Sequence, residues 1–252
     1  MFRSLPDRLY KFEDFTARAL LNLKSQIVYF GSPRNFNDPY DCAITPEIRQ
    51  PSDEVVEEIR RRYLDDRDLP TKTREEFLSK SVEELRQVYV RSAHAALRQQ
   101  IDSVVNTCGI ACFSERKDDL TMWSHYGGRY RGFCLGFATS HELFSRARPV
   151  KYVDKMPSYD AGNIIYDRLG FDPLELLCTK SLAWSYEREW RAIHKVGGTA
   201  YVYPPDTLTG VYFEPDIDQQ ALEIVCLILA GQNDRVRFWR GRRSTSEFRV
   251  LF

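Results

Sequence analysis

Two carboxylates stand two residues apart in the segment Trp184-Ser185-Tyr186-Glu187-Arg188-Glu189-Trp190-Arg191. Side chains two apart on a β-strand face the same way. A strand that begins by residue 187 therefore puts Glu187, Glu189 and Arg191 on one face and Trp190 and Ala192 on the other. Two acids held this close raise the pKa of at least one of them, which suits proton transfer or the stabilisation of a developing cation. The plainer reading is a pair of solvated acids neutralised by Arg188 and Arg191. A second segment, Met122-Trp123-Ser124-His125-Tyr126-Gly127, sets an imidazole between a hydroxyl and a phenol. Such a histidine can take a proton or orient a ribose, or simply satisfy a backbone carbonyl. A third, Gly31-Ser32-Pro33-Arg34-Asn35-Phe36-Asn37-Asp38-Pro39, offers backbone amides and a hydroxyl at a strand end, while Asn37 and Asp38 can cap their own turn. Tyr10, Tyr29, Trp123, Tyr126, Trp184 and Tyr186 supply aromatic faces. Two or three of these in one cleft would stack a nicotinamide, an adenine or a base. Catalytic groups must meet around one substrate, so Glu187, Glu189 and His125 are expected in one cleft with Ser32 or Asp38 at its rim.

Composition narrows the chemistry. Lys+Arg and Asp+Glu both number 36, giving no net charge, which argues against nucleic-acid binding through bulk electrostatics. One local exception is the run Arg235, Arg237, Arg240, Arg242, Arg243 and Arg249, readable as a nucleic-acid contact or as a solvated face. His94, His125, His141 and His194 show no paired spacing, so no zinc site is expected. The six cysteines lack metal-ligand or CxxC spacing and sit in apolar runs such as Ile224-Val225-Cys226-Leu227, reading as buried free thiols in a reducing compartment. Neither GxGxxG nor GxxxxGK[ST] occurs. The first ten residues lack the apolar stretch of a signal peptide, and the longest apolar run, Ile224 to Ala230, is too short to span a bilayer. A cytoplasmic protein with no membrane contact is expected.

The elements that must position these groups read as α+β: a core of short, mostly antiparallel strands with a helical insertion at 51–103, within a single domain spanning 1–252. Strands are expected at Leu9–Phe12, Gln26–Gly31, Thr107–Phe113, Gly132–Phe137, Val150–Val153, Glu189–Lys195, Val211–Glu214 and Ser246–Phe252. Helices are expected at Asp14–Leu23, Ser52–Asp66, Thr73–Asp102 in two pieces, Asp119–Tyr126 ending at a glycine pair, Leu174–Leu182 and Ile217–Ala230.

Several ordered motifs carry a family resemblance. Leu9-Tyr10-Lys11-Phe12, Phe30-Gly31-Ser32-Pro33 with Phe36-Asn37-Asp38-Pro39, and Cys112-Phe113-Ser114 form the first group. Met122-Trp123-Ser124-His125-Tyr126 with Arg131-Gly132-Phe133-Cys134-Leu135-Gly136-Phe137, and Lys180 with Trp184, Tyr186-Glu187 and Glu189-Trp190-Arg191, complete the set. Together they resemble DUF2971, a large family of bacterial proteins of unknown function. Glu187-Arg188-Glu189 is also similar to the Glu-x-Glu of the ADP-ribosyltransferase superfamily, and Ser32 to its strand of small hydroxyl residues. Where that superfamily has Arg or His on its first strand, this chain has Tyr10-Lys11.

The second likeness implies an ADP-ribosyltransferase-like fold and NAD as the cofactor. Glu189, with Glu187 and His125, would be catalytic, and Tyr10, Lys11, Tyr29, Ser32 and Tyr126 would bind NAD. Glu189 would stabilise an oxocarbenium-like ribose while Glu187 activates an acceptor: a protein, a nucleic acid or water. Two other readings stay open on the residues. One is a metal-dependent nuclease using Asp38, Glu187, Glu189 and Lys180. The other is a non-catalytic module that binds a nucleotide-like small molecule or a protein.

Overall fold

The computed structural model describes residues 3–42, 45–166 and 172–252. Its centre is a seven-stranded sheet built from β1 (Arg8–Glu13), β2 (Gly109–Ser114), β3 (Phe133–Ala138), β4 (Arg148–Pro149), β5 (Glu189–His194), β6 (Leu208–Phe213) and β7 (Arg237–Arg240). The spatial order is β7-β6-β3-β1-β2-β5-β4. Every pairing is antiparallel except β6 with the edge strand β7. The fold is thus α+β with mixed strand directions.

Period-2 alternation decides which side chains go where. On β2 and β5, Ala111, Phe113, Trp190 and Ala192 join the main core, together with Leu9, Phe30, Phe137 and Val211. That core is closed by helix Ala17–Lys24, through Ala19 and Leu23, and by helix Gln219–Leu229, through Ala221, Val225 and Leu229. The alternate positions, Cys112 and Arg191, are register partners on the opposite face, as are Ser114 and Glu189. This second face carries the site. A smaller aromatic cluster of Phe12, Trp123 and Tyr212 anchors helix Leu120–Tyr126 beside it.

The strand β1 meets β2 at one register pair, Tyr10 with Ser114, whereas it pairs along its whole length with β3. The sheet therefore parts between β1 and β2, and the side chains along that parting are free to line a cavity.

The stretch 51–103 forms helices Asp53–Asp65, Thr71–Ser79 and Val82–Thr107, the last running on toward β2. Ser52 caps the first, and Ser81 with Glu84 makes a capping box on the third. Val56, Ile59, Leu85 and Tyr89 give these helices a small core of their own.

Three expectations need correction. Leu174–Leu182 is not one helix: Pro173–Leu176 is a single turn, Thr179–Ser181 is a strand paired with Lys151–Val153, and Leu182–Glu187 is a 3₁₀ turn. Asp172 caps and Pro173 starts that first turn, but Thr179 is drawn into strand pairing, so tertiary contacts override the local pattern. The C-terminal strand is confined to Val250–Leu251, because Ser244 holds the preceding backbone in a turn through its hydroxyl. Arg237–Arg240 is a strand that the arginine run concealed. Within that run Arg240 bonds Gln219 and backbone carbonyls, Arg243 pairs with Asp216, and Arg249 pairs with Glu247. No described helix is long and apolar enough to cross a membrane.

Candidate functional site

At the end of β5, the chain makes an unusual turn. The 3₁₀ segment ends at Glu187, Arg188 takes a left-handed conformation (φ 45°, ψ 48°), and β5 begins at Glu189. A non-glycine residue in that region costs about 1 kcal/mol or more. The turn is held by the Ser114 hydroxyl donating to the Glu187 carbonyl at 2.7 Å, and by Glu115 N–H donating to the Arg188 carbonyl at 3.2 Å. Glu187 is therefore not on the strand, contrary to the simplest reading of the Glu-x-Glu spacing. The left-handed residue nonetheless swings it to the same partner that Glu189 reaches.

That partner is Lys180, whose ammonium lies 2.6 Å from Glu187 Oε2, 3.4 Å from Glu189 Oε2 and 3.2 Å from Asp41 Oδ2. Arg191 completes the group. Its guanidinium makes a two-pronged contact with Glu189, Nε to Oε1 at 2.8 Å and a terminal nitrogen to Oε2 at 2.9 Å. The same nitrogen reaches Asp41 Oδ2 at 2.7 Å, and the other donates to the Leu177 carbonyl at 2.6 Å. All five side chains are 5% exposed or less. Burial on this scale is tolerated because each charge has partners.

Charge counting distinguishes one member. Asp41 and Glu189 balance Lys180 and Arg191, and Glu187 is the odd carboxylate. Burial, then the neighbouring Glu189 charge, push Glu187 up to about 7. Burial also acts upward on Glu189, but the Arg191 guanidinium and Lys180 outweigh it and hold that carboxyl well below the usual range. For Lys180 burial acts downward, and the three carboxylates outweigh it and keep the amine protonated. The second oxygen of Glu187 accepts a 2.6 Å bond from the Tyr126 hydroxyl. That phenol is in turn raised by burial and by Glu187.

Glu187 and Glu189 line a cavity of about 420 Å³ with Tyr10, Lys11, Asn37, Asp41, Cys112, His125, Tyr126 and Lys180. Its size falls within the roughly 300–1,000 Å³ of small-molecule sites. Phe36 supplies a further ring, and Lys11 is paired with Glu13 at 3.3 Å. His125 is exposed at the mouth, its Nδ1 2.8 Å from the Tyr186 hydroxyl.

Six of the expected site residues, Glu187, Glu189, His125, Tyr10, Lys11 and Tyr126, thus line one cavity. Tyr29 and Ser32 do not. Tyr29 sits in a two-stranded ribbon paired with Ala200 and stacks under Arg18, because its segment leaves the main sheet. Ser32 caps the short turn Pro33–Asn35, accepting from Arg34 N–H at 3.4 Å. Asp38 is not in that lining: its carboxylate caps its own turn at Tyr40 N–H, and it faces an adjoining groove along helix Val82–Thr107 that shares Phe36 and Asp41 with the cavity. The acid that joins the network is Asp41, three residues on, which nothing in the Asn37-Asp38-Pro39 pattern distinguished. Among the described residues, no group of three His, Cys, Asp or Glu side chains is arranged to hold a metal ion.

A protein-family model described as "Protein of unknown function (DUF2971)" matches residues 122–192. That stretch is 71 of 252 residues and runs from helix Leu120–Tyr126 through Lys180 to Arg191. The matched segment therefore contributes His125, Tyr126, Lys180, Glu187, Glu189 and Arg191, while Tyr10, Lys11, Asn37, Asp41 and Cys112 come from outside it. No curated protein and no solved structure matches the chain, so neither comparison supplies an ADP-ribosyltransferase relative.

Proposed function

We propose that this cavity binds a small, flat, polar ligand and that Glu187 moves a proton on it. The observation that supports this most is the separation of two carboxylates in one site. Glu189 is held ionised by Arg191, while Glu187 is held near neutrality by burial and its neighbour's charge. Carboxyl groups whose environments push their pKa values apart divide acid–base work between them. A group that titrates near the operating pH is the efficient one.

Within this reading we favour cleavage of NAD between nicotinamide and ribose, with transfer to water or another acceptor. The residues fit such a substrate in kind: aromatic rings from Tyr10, Phe36 and Tyr126, polar groups from Asn37 and Lys11, and carboxylates at the inner wall. NAD supplies a glycosidic bond whose heterolysis sends the electron pair out with neutral nicotinamide and leaves positive charge on the ribose carbon. Ionised Glu187 stabilises that charge and then accepts the proton shed by the water or acceptor as it bonds to the carbon. Tyr126 orients Glu187, and Lys180 stabilises its charged form. Glu189 positions Lys180 rather than touching the ligand, since Arg191 and Lys180 already engage its oxygens. The roles expected of the two glutamates are thereby exchanged. For the nuclease reading, a divalent cation would have to displace the Lys180 ammonium from among the three carboxylates, so we rank it below.

Isothermal titration with NAD and a nicotinamide-release assay on wild type and Glu187→Gln test the proposal. Saturable binding with Glu187-dependent release supports it. Binding without release moves the site to a non-catalytic module, and neither binding nor release sinks NAD as the ligand.

A further inference from the structure

A second cavity of about 680 Å³ adjoins the first, and the two share Asn37, His125 and Tyr126 in their walls. Its remaining walls include Asp14, Arg129 and Trp184. Three features of these residues point to a ligand.

First, Arg129 is presented by a run of three left-handed residues, Gly128 (φ 58°), Arg129 (φ 52°) and Tyr130 (φ 67°). Runs of this kind are unfavourable for side-chain-bearing residues. Here the run is held by Tyr130 N–H bonding to the Trp123 carbonyl and by Arg131 and Gly132 N–H bonding to the Gly127 carbonyl. At Gly128 a Cβ would fall 2.4 Å from an Asp14 carboxylate oxygen, so the turn also brings that acid to the same rim. Second, the Arg129 side chain is exposed and makes no hydrogen bond or ion pair with the described residues, leaving its planar fork of donors for an anion. Third, Trp184 is half-buried with Lys180 4.9 Å from its ring centroid, and its ring lies 6.2 Å from that of His125. It is an aromatic wall between the buried charges and the outer cavity.

We propose that the outer cavity is a subsite for a nucleoside diphosphate, with the diphosphate on Arg129 and His125, the ribose hydroxyls on Asp14 and the base against Trp184. This rests on the reading of the inner cavity as a nucleotide site and extends it. The ligand is an extended dinucleotide whose reacting half meets Glu187 and whose other half is held outside. Remote binding of that kind positions the reacting half.

ADP is the probe, because it fills the outer subsite without needing the inner chemistry. It is titrated calorimetrically into the full chain as wild type, Arg129→Asn, Trp184→Leu and Glu187→Gln, with adenosine as the phosphate-free control. Asparagine tolerates the left-handed backbone, so Arg129→Asn keeps the turn. ADP should bind wild type and Glu187→Gln alike, and adenosine about tenfold or more weaker, the loss expected for one charge-assisted contact. Arg129→Asn should weaken ADP about tenfold and leave adenosine unchanged, and Trp184→Leu should weaken both ligands. ADP binding without nicotinamide release keeps the subsite and overturns NAD cleavage. Absence of ADP binding to wild type, or binding indifferent to Arg129→Asn, overturns the subsite whatever the release assay gives.

Discussion

The two ends of the buried charge network use the same residue types and do opposite things. At the inner end Arg191 locks Glu189 and Asp41 with three contacts of 2.7–2.9 Å, sealed against the Leu177 carbonyl. At the outer end Lys180 and Tyr126 hold Glu187 with one contact apiece, on the cavity wall. A guanidinium with matched donors fixes charge, whereas an ammonium shared by three carboxylates leaves one of them adjustable. The difference lies in which carboxylate has no cation of its own, and not in burial, which is nearly equal at both ends.

The comparison breaks most visibly at Arg191. Arg191→Met should lower stability by about 3–5 kcal/mol, because it leaves three buried carboxylates with Lys180 as their one shared cation; urea denaturation measures it. Glu189→Gln should also destabilise, whereas Glu187→Gln should leave the fold intact and reduce nicotinamide release by about 10²–10⁴-fold. Equal destabilisation by the two glutamine variants would erase the distinction between the ends. The pH dependence of stability sharpens it further. A carboxyl raised from its ordinary 4.5 to about 7 stabilises the fold below 4.5 and loses that contribution as pH rises toward 7. Wild type should therefore lose about 1–3 kcal/mol relative to Glu187→Gln between pH 5 and 8, read from denaturation curves at each pH. Glu189, held low, has the opposite sign: its contribution is present above 4.5 and is lost only in strong acid. The smallest effect is expected at Tyr126→Phe. Its hydroxyl favours the ionised form of Glu187, so removing it should raise the apparent pKa of the pH–rate profile and slow release about tenfold.

Much of this arrangement was legible from residue order. Alternation on β5 separates Trp190 and Ala192, which enter the core, from Glu189 and Arg191, which face the site. Ser52 and Asp119 cap helices expected to begin there, whereas the break inside Thr73–Asp102 was expected without a position and falls at the Ser81 cap. Two things were hidden. The left-handed turn at Arg188 has no glycine or asparagine to announce it, since its strain is offset by the Ser114 hydroxyl and the Glu115 N–H at the end of β2. The choice of Asp41 over Asp38 depends on a fold 139 residues downstream, where Lys180 meets it. Tyr29 and Ser32 shared the aromatic and hydroxyl character of site residues, but their ribbon and turn hold them away from the cavity.

The most direct test of the odd-carboxylate claim is a carboxyl carbon NMR titration of the full chain labelled at glutamate Cδ, with Glu187 and Glu189 assigned from their glutamine variants. The Glu187 resonance should titrate near neutral pH, at about 7, while that of Glu189 stays in its ionised position down to the acid limit of folding. A Glu187 resonance that is fully ionised from pH 5 upward would contradict the account, because the network would then hold no carboxyl able to exchange a proton with a ligand.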